Sequence, residues 1–113
     1  MINDDQILTL RVLGHMYIRL GLKDKADRLI RALLTIKPNE PGLLGASAAL
    51  ALDHDKPQEA LEKLTRLFAN SLTPDPTFIL IKAQALWRLG RVAEALEAKD
   101  QYLATLGAVR VDQ

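Results

Sequence analysis

The feature that most constrains the fold of this chain is an internal repeat with a step of 34 or 35 residues. Arg-Leu-Gly follows a bulky apolar residue twice, in HMYIRLGLKDKAD at 15–27 and in QALWRLGRVAEAL at 84–96. In both segments an Ala comes five residues after the Gly. A chain with such a period folds as stacked copies of one unit, because each copy can bury its apolar face only against its neighbours.

Three sets of positions keep this step through the chain. They are Gly14, Ala48 and Ala83; Gly21, Asp55 and Gly90; and Ala26, Ala60 and Ala95. The first and third sets are small residues, which let two helices cross closely. The second set contains two glycines, and glycine ends a helix in the left-handed conformation at little cost, whereas an Asp tolerates that conformation less well. Each repeat is therefore predicted to be a hairpin of two antiparallel helices.

Proline and acidic residues mark the helix starts. Pro41, Pro57 and Pro76 suit the first turn of a helix and would break its interior. Asp75 is a suitable N-cap for the helix that follows it, and Asn3 offers a cap near the N-terminus. With apolar residues spaced by three and four, these signals predict six helices, at about 4–20, 24–37, 41–53, 57–70, 76–89 and 92–106.

The predicted fold class is all-α, with a single domain over 1–113. Its three repeats span about 7–40, 41–75 and 76–108, and 107–113 is predicted to be a flexible tail because it lacks a helical period.

Composition excludes several function classes. The 15 Lys and Arg against 14 Asp and Glu give a net charge of +1, without the basic footprint of a nucleic-acid-binding protein. The chain has no cysteine, so disulfides and cysteine ligands are excluded. It contains no apolar run of the roughly 18 residues that a membrane span needs, and its first residues are acidic where a secretory signal is basic. We therefore expect a cytoplasmic protein without membrane insertion.

No catalytic or metal site is predicted. His54 lies between Asp53 and Asp55, but a metal ion needs ligands that converge from different turns, so this segment is interpreted as a solvated turn. The chain has neither a Gly-rich phosphate loop nor a supported Ser-His-Asp arrangement. We expect no enzymatic activity and no cofactor.

The repeat resembles the tetratricopeptide repeat, a helical hairpin of 34 residues. The likeness covers about 7–106, and the middle unit matches least well. Matching positions are Gly14, Tyr17, Gly21, Ala26 and Pro38 in the first unit, Ala48 and Ala60 in the second, and Ala83, Leu86, Gly90 and Ala95 in the third. The resemblance implies three hairpins stacked as a short right-handed superhelix.

Within that family the chain is most similar to the YscY-type chaperones of bacterial type III secretion. Gly14, Gly21 and the block ALLTIKP at 32–38 carry this likeness. It implies a virulence-associated chaperone that binds a small, early-secreted YscX-like partner as a heterodimer and helps present it to the export gate. The alternative is a scaffold or assembly factor of the same fold, or a chaperone for a needle subunit or translocator.

In such repeats the first helix of each unit lines the concave face, which the resemblance implies as the partner-binding surface. The implied residues are Leu8, Arg11, His15, Ile18, Arg19, Gly45, Ala49, Leu52, Leu80, Gln84, Trp87 and Arg88. Small residues near Gly45 favour a trough for a partner helix; alternatively, the glycines only begin a helix after Pro41. Trp87 is expected to be a half-exposed binding anchor rather than a core residue.

The last predicted helix carries apolar residues that no later helix covers, among them Leu96 and Leu103. Repeat arrays usually end in a polar capping element. We therefore expect the isolated protein to be poorly stable or to self-associate, and a bound partner or a second copy to cover this surface.

Overall fold

The computed structural model describes residues 3, 6, 13, 14, 16, 18–71 and 75–111, the last four of them by their backbone alone. Within these residues five helices have defined limits and no strand occurs, so the prediction of an all-α fold is confirmed. The helices are α1 Lys23–Ile36, α2 Pro41–Asp53, α3 Pro57–Ala69, α4 Pro76–Arg88 and α5 Val92–Val111. The first predicted helix, 4–20, lies largely outside the described residues, although residues 6, 13, 14, 16, 18 and 19 are helical.

Side-chain caps explain where two of these helices begin. The Asp75 carboxylate accepts a hydrogen bond of 2.8 Å from the N–H of Thr77 at the start of α4, as the sequence predicts. Glu40 caps α2 in the same way, accepting from the N–H of Leu43 at 3.0 Å.

A reciprocal cap lies near the N-terminus. The Asn3 side chain accepts from the N–H of Gln6 at 2.8 Å, while the Gln6 side chain accepts from the N–H of Asn3 at 3.0 Å. These two bonds form a capping box.

The three aligned turn positions share one backbone conformation. Gly21, Asp55 and Gly90 have φ of 79°, 58° and 76°, and they are the residues with positive φ in the described part of the chain. After α2 the N–H of Lys56 reaches the carbonyl of Ala51 at 2.8 Å. Equivalent bonds follow α4, so both helices end in the same left-handed motif.

Exchanging the residue types at two of these turns should change stability in opposite directions. Asp55→Gly removes the cost of a left-handed non-glycine residue and is expected to stabilise the protein by about 0.5–1 kcal/mol, after the extra chain entropy of glycine is subtracted. Gly90→Ala introduces that cost and should destabilise it by about 1 kcal/mol. Urea denaturation of the two variants measures both effects, and a loss of stability in Asp55→Gly would contradict the turn assignment.

The aligned small residues all lie in the interior. Gly14 is buried, and its Cα faces α1, because a Cβ built on it would meet the side chain of Ile30 at 3.7 Å. Ala83 of α4 and Ala95 of α5 belong to one apolar cluster. The exposed fractions are 0% for Ala26, Ala48 and Ala60, 8% for Ala83 and 4% for Ala95.

Consecutive helices pack on one another along the chain, and α2 also contacts α4. The main apolar cluster draws on α1, α2, α3 and α4, and the smaller one joins α4 to α5. Arg31 links α1 to α3, because its guanidinium lies 2.7 Å from Asp27 of α1 and 2.9 Å from Glu59 of α3. Hydrogen bonds to Asp27 and then Glu59 raise the pKa of Arg31.

The end of α5 differs from the prediction. The helix continues to Val111, five residues beyond the predicted limit of 106, so the segment 107–111 is helical rather than a flexible tail. Residues 112 and 113 lie outside the described residues. None of the helices described is both long and apolar enough to cross a membrane.

Candidate helix-binding groove

A groove of about 560 Å³ opens where α2, α4 and α5 meet. Five residues of the predicted concave face line it, two from α2 and three from α4, and α5 supplies the far wall. The lining residues are Ala49, Leu52, Asp53, Ile81, Ala83, Gln84, Trp87, Arg88, Ala95, Leu96 and Lys99.

The other predicted concave-face residues have different surroundings. Ile18 is half-buried and packs against the main apolar cluster, Arg19 is exposed, and Leu80 is half-buried outside the groove. Leu8, Arg11 and His15 lie outside the described residues.

Small buried residues and large exposed ones shape the groove. Ala83 and Ala95 form its floor, with exposed fractions of 8% and 4%. Trp87 and Leu96 form its walls, with exposed fractions of 61% and 45%. Trp87 is therefore not a core residue. A cleft with a small-residue floor and an aromatic wall suits a bulky apolar side chain of a ligand.

The rim of the groove carries basic groups. Arg88 donates a hydrogen bond to the carbonyl of Leu52, which holds its guanidinium against the C-terminus of α2. Lys99 approaches from α5 with about half of its side chain exposed, and its ammonium lies 4.0 Å from the carboxylate of Asp100. The carboxylate of Asp53 lies 3.5 Å from the ammonium of Lys23, which offsets its charge. The rim therefore favours a ligand that carries an acidic residue beside its apolar ones.

Gly45 does not contribute open space, in contrast to the predicted trough. It is buried, and a Cβ built on it would lie 2.1 Å from Cε1 of Phe78. The ring of Phe78 occupies the space that the trough interpretation left for a partner. The alternative interpretation, in which the glycine only begins a helix, does not predict the contact with Phe78 either. Gly45 is small because α4 packs closely against α2.

Leu52 has two roles in the structure. It lines the groove, yet only 4% of it is exposed, because it also belongs to the main apolar cluster. A substitution there would therefore alter the core as well as the groove.

Three lining residues, Ala95, Leu96 and Lys99, come from α5 and were not among the predicted binding residues. The available signal was the apolar character of both faces of the last helix. Val92, Leu96 and Leu103 are spaced by four and seven, and they are 45%, 45% and 52% exposed. When the exposed face of the second helix of a hairpin is also apolar, as in α5, that face is expected to contact another protein segment.

His54 lies in the turn after α2 and faces a carboxylate of α1. Its Nε2 lies 3.5 Å from the carboxylate of Asp24. Among the described residues no three His, Asp or Glu side chains are grouped so that they could hold a metal ion.

Comparison with known proteins does not assign the chain to a family. No family model matches it, and no curated protein matches it either. The groove and the repeat are therefore the basis for inferring its function.

Proposed function

We propose that this protein is a tetratricopeptide-type chaperone, without catalytic activity, that binds one helix of a small protein partner in the groove of α2, α4 and α5. In this proposal α2–α3 and α4–α5 are the second and third hairpins of a right-handed superhelix. The left-handed residues Gly21, Asp55 and Gly90 support a common hairpin geometry. The contact between α2 and α4 supports stacking of first helices, as in a solenoid.

The observation that carries the proposal is the exposure of Trp87 beside a floor of alanines. A Trp that is 61% exposed and borders an apolar groove leaves much of its ring in water. Tryptophans in such positions are frequent anchors of protein interfaces. A helix is the fitting ligand because its apolar side chains, spaced by three and four residues, can enter a groove while its backbone stays hydrogen-bonded.

The resemblance to YscY-type chaperones supports a specific partner class. The proposed partner is a small YscX-like protein of a bacterial type III secretion system, bound as a heterodimer in the cytoplasm and presented to the export gate. Gly14, Gly21 and the block ALLTIKP at 32–38 are the residues that support this class.

A second candidate is a scaffold that joins two subunits. Leu103 favours it, because this residue is 52% exposed on α5 and does not line the groove, so a further apolar surface is present. The two candidates differ in whether the bound partner is itself exported.

The decisive experiment is co-expression with small proteins encoded next to this gene, followed by titration of the purified pair. Tryptophan fluorescence reports the contact directly, since Trp87 is the only Trp. Trp87→Ala, followed by calorimetry, is expected to weaken binding by about 30-fold or more, the effect of losing an interface anchor worth about 2 kcal/mol.

Ile36→Ala is the matched control, because Ile36 is also an exposed large apolar residue, at 47%, and lies outside the groove. It should bind like the wild type. Stability should change by only about 0.5 kcal/mol in either variant. Equal partner affinity for Trp87→Ala and wild type would contradict the assignment of the groove.

A further inference from the structure

The internal repeat allows the outer surface of α4 and α5 to be compared with the equivalent surface of α2 and α3, which α4 covers. Adding 35 to the residue numbers of α2 and α3 gives the equivalent positions in α4 and α5. The equivalent turns at Asp55 and Gly90 and the equivalent buried residues Ala60 and Ala95 show this correspondence. The surface of α2 and α3 that α4 covers therefore has a counterpart on α4 and α5, where no later helix of the described chain packs.

This counterpart surface keeps its apolar character although it is uncovered. Leu52 is 4% exposed, whereas its equivalent Trp87 is 61% exposed. Leu61 is half-buried against the cluster of α4 and α5, whereas its equivalent Leu96 is 45% exposed. The half-buried Phe68 likewise corresponds to Leu103, at 52%. We call Trp87, Leu96 and Leu103 the tail face.

The other end of the chain shows the complementary surface. Ala85 of α4 is fully buried, and it belongs to the cluster formed by the preceding units. Its equivalent one unit earlier is Leu50, which is 1% exposed. The equivalent in the first unit is Met16, which is 51% exposed.

A basic residue occupies the same repeat position in the first and third units, whereas the second unit has Asp53 there. Arg88 donates to the carbonyl of Leu52 in the preceding unit. Arg19 occupies the same repeat position in the first unit and is exposed. The carbonyl equivalent to that of Leu52 belongs to Trp87, on the tail face. We call Met16 and Arg19 the head face.

We infer that a second copy of this chain docks head to tail, with the head face of one copy on the tail face of the next. The contact reproduces the one that α4 makes with α2 and α3, and Arg19 of the incoming copy bonds to the Trp87 carbonyl as Arg88 bonds to that of Leu52. Because the two faces differ, the contact is heterologous and can continue from copy to copy. The inference goes beyond partner binding and does not depend on it. Because Trp87 and Leu96 also form walls of the groove, a second copy and the proposed partner helix would compete for the tail face.

The test uses one charged substitution on each face. Met16→Glu impairs only the head and Leu103→Glu only the tail, and neither residue lines the groove. Sedimentation velocity at increasing protein concentration should show the wild type growing past the dimer. Each variant alone should associate about tenfold or more weakly, since the new charge would have to be buried in an apolar contact.

Mixing the two variants distinguishes a heterologous contact from a symmetric one. Met16→Glu keeps an intact tail and Leu103→Glu an intact head, so an equimolar mixture should form one species of twice the chain mass and no larger one. Ile36→Glu, on an exposed residue of α1, is the matched control and should assemble like the wild type. Circular dichroism and melting curves establish that all variants fold. If either glutamate variant fails to fold, the corresponding glutamine variant replaces it.

Three results would overturn the inference. One is a wild type that stays monomeric at every concentration. Another is a mixture of the variants that stays monomeric. The third is a wild type that stops at a dimer which Leu103→Glu abolishes and Met16→Glu leaves intact, because that pattern indicates a symmetric contact through α5.

Discussion

Replacing Gly45 by Ala is expected to lower the free energy of unfolding by about 1–3 kcal/mol, although Ala is the better helix former. Within a helix, Ala is favoured over Gly by about 1 kcal/mol. The added Cβ, however, would lie 2.1 Å from Cε1 and 2.6 Å from Cζ of Phe78, so the ring or the α2–α4 pair has to move. Overpacking of this kind costs about 1–3 kcal/mol and occasionally more.

The sign of the effect should reverse once the ring is removed. A Phe78→Ala background removes the three atoms nearest to the Cβ added by Gly45→Ala, all of them in the ring, so the helix propensity is expected to decide the effect. Gly45→Ala should then stabilise the protein by about 0.5–1 kcal/mol. Urea denaturation of the four proteins of this double-mutant cycle gives the coupling between the two positions.

Gly14→Ala is the matched control for this cycle. Gly14 is also a buried helical glycine, but the nearest contact of its added Cβ is an ordinary 3.7 Å to Ile30. This variant should be neutral or more stable than the wild type. Destabilisation by Gly45→Ala that persists in the Phe78→Ala background would contradict the close packing of α4 on α2.

The limits of the helices could be predicted closely because local chemistry sets them. α2, α3 and α4 begin at Pro41, Pro57 and Pro76, as predicted, and the predicted starts of α1 and α5 lie within one residue of the observed ones. The repeat step also identified the three left-handed turns, including the one at Asp55, where the residue type alone is a weaker signal.

Contacts between distant residues could not be predicted in the same way. Phe78 fills the space at Gly45 from the next unit, and nothing around Gly45 in the sequence indicates that aromatic neighbour. The trough was therefore placed too near the start of α2, whereas Ala49, Gln84 and Trp87 do line a groove.

The extent and the role of α5 were also only partly predictable. The segment after Leu106 contains Gly107 and β-branched residues without a helical period, which argued for an end that the helix does not have. The apolar outer face of α5 was visible in the sequence, but its part in the groove depends on how α5 crosses α4. The repeat predicts how neighbouring units pack on one another, but it does not predict the length of the last helix or what covers the outer surfaces of the first and last units.

The same substitution at two repeat-equivalent positions should have very different effects. Leu52→Asp places a carboxylate at a site that is 4% exposed and belongs to the main apolar cluster. The loss of the leucine contacts and the desolvation of the charge should together cost about 4 kcal/mol or more. Trp87→Asp puts the same group one repeat later, at a site that is 61% exposed, and should cost about 1 kcal/mol or less.

Thermal melting followed by circular dichroism measures this difference in the isolated protein. A change of 1 kcal/mol corresponds to about 4–8 °C in a domain of roughly this size, so Leu52→Asp should melt far below Trp87→Asp or be unfolded at room temperature. Leu52→Ala separates the two contributions, because it loses the packing but adds no charge. Since α4 covers Leu52 and no described helix covers Trp87, similar melting temperatures for the two aspartate variants would mean that the third unit does not pack on the second as observed. That outcome would remove the basis for both the groove and the head-to-tail contact.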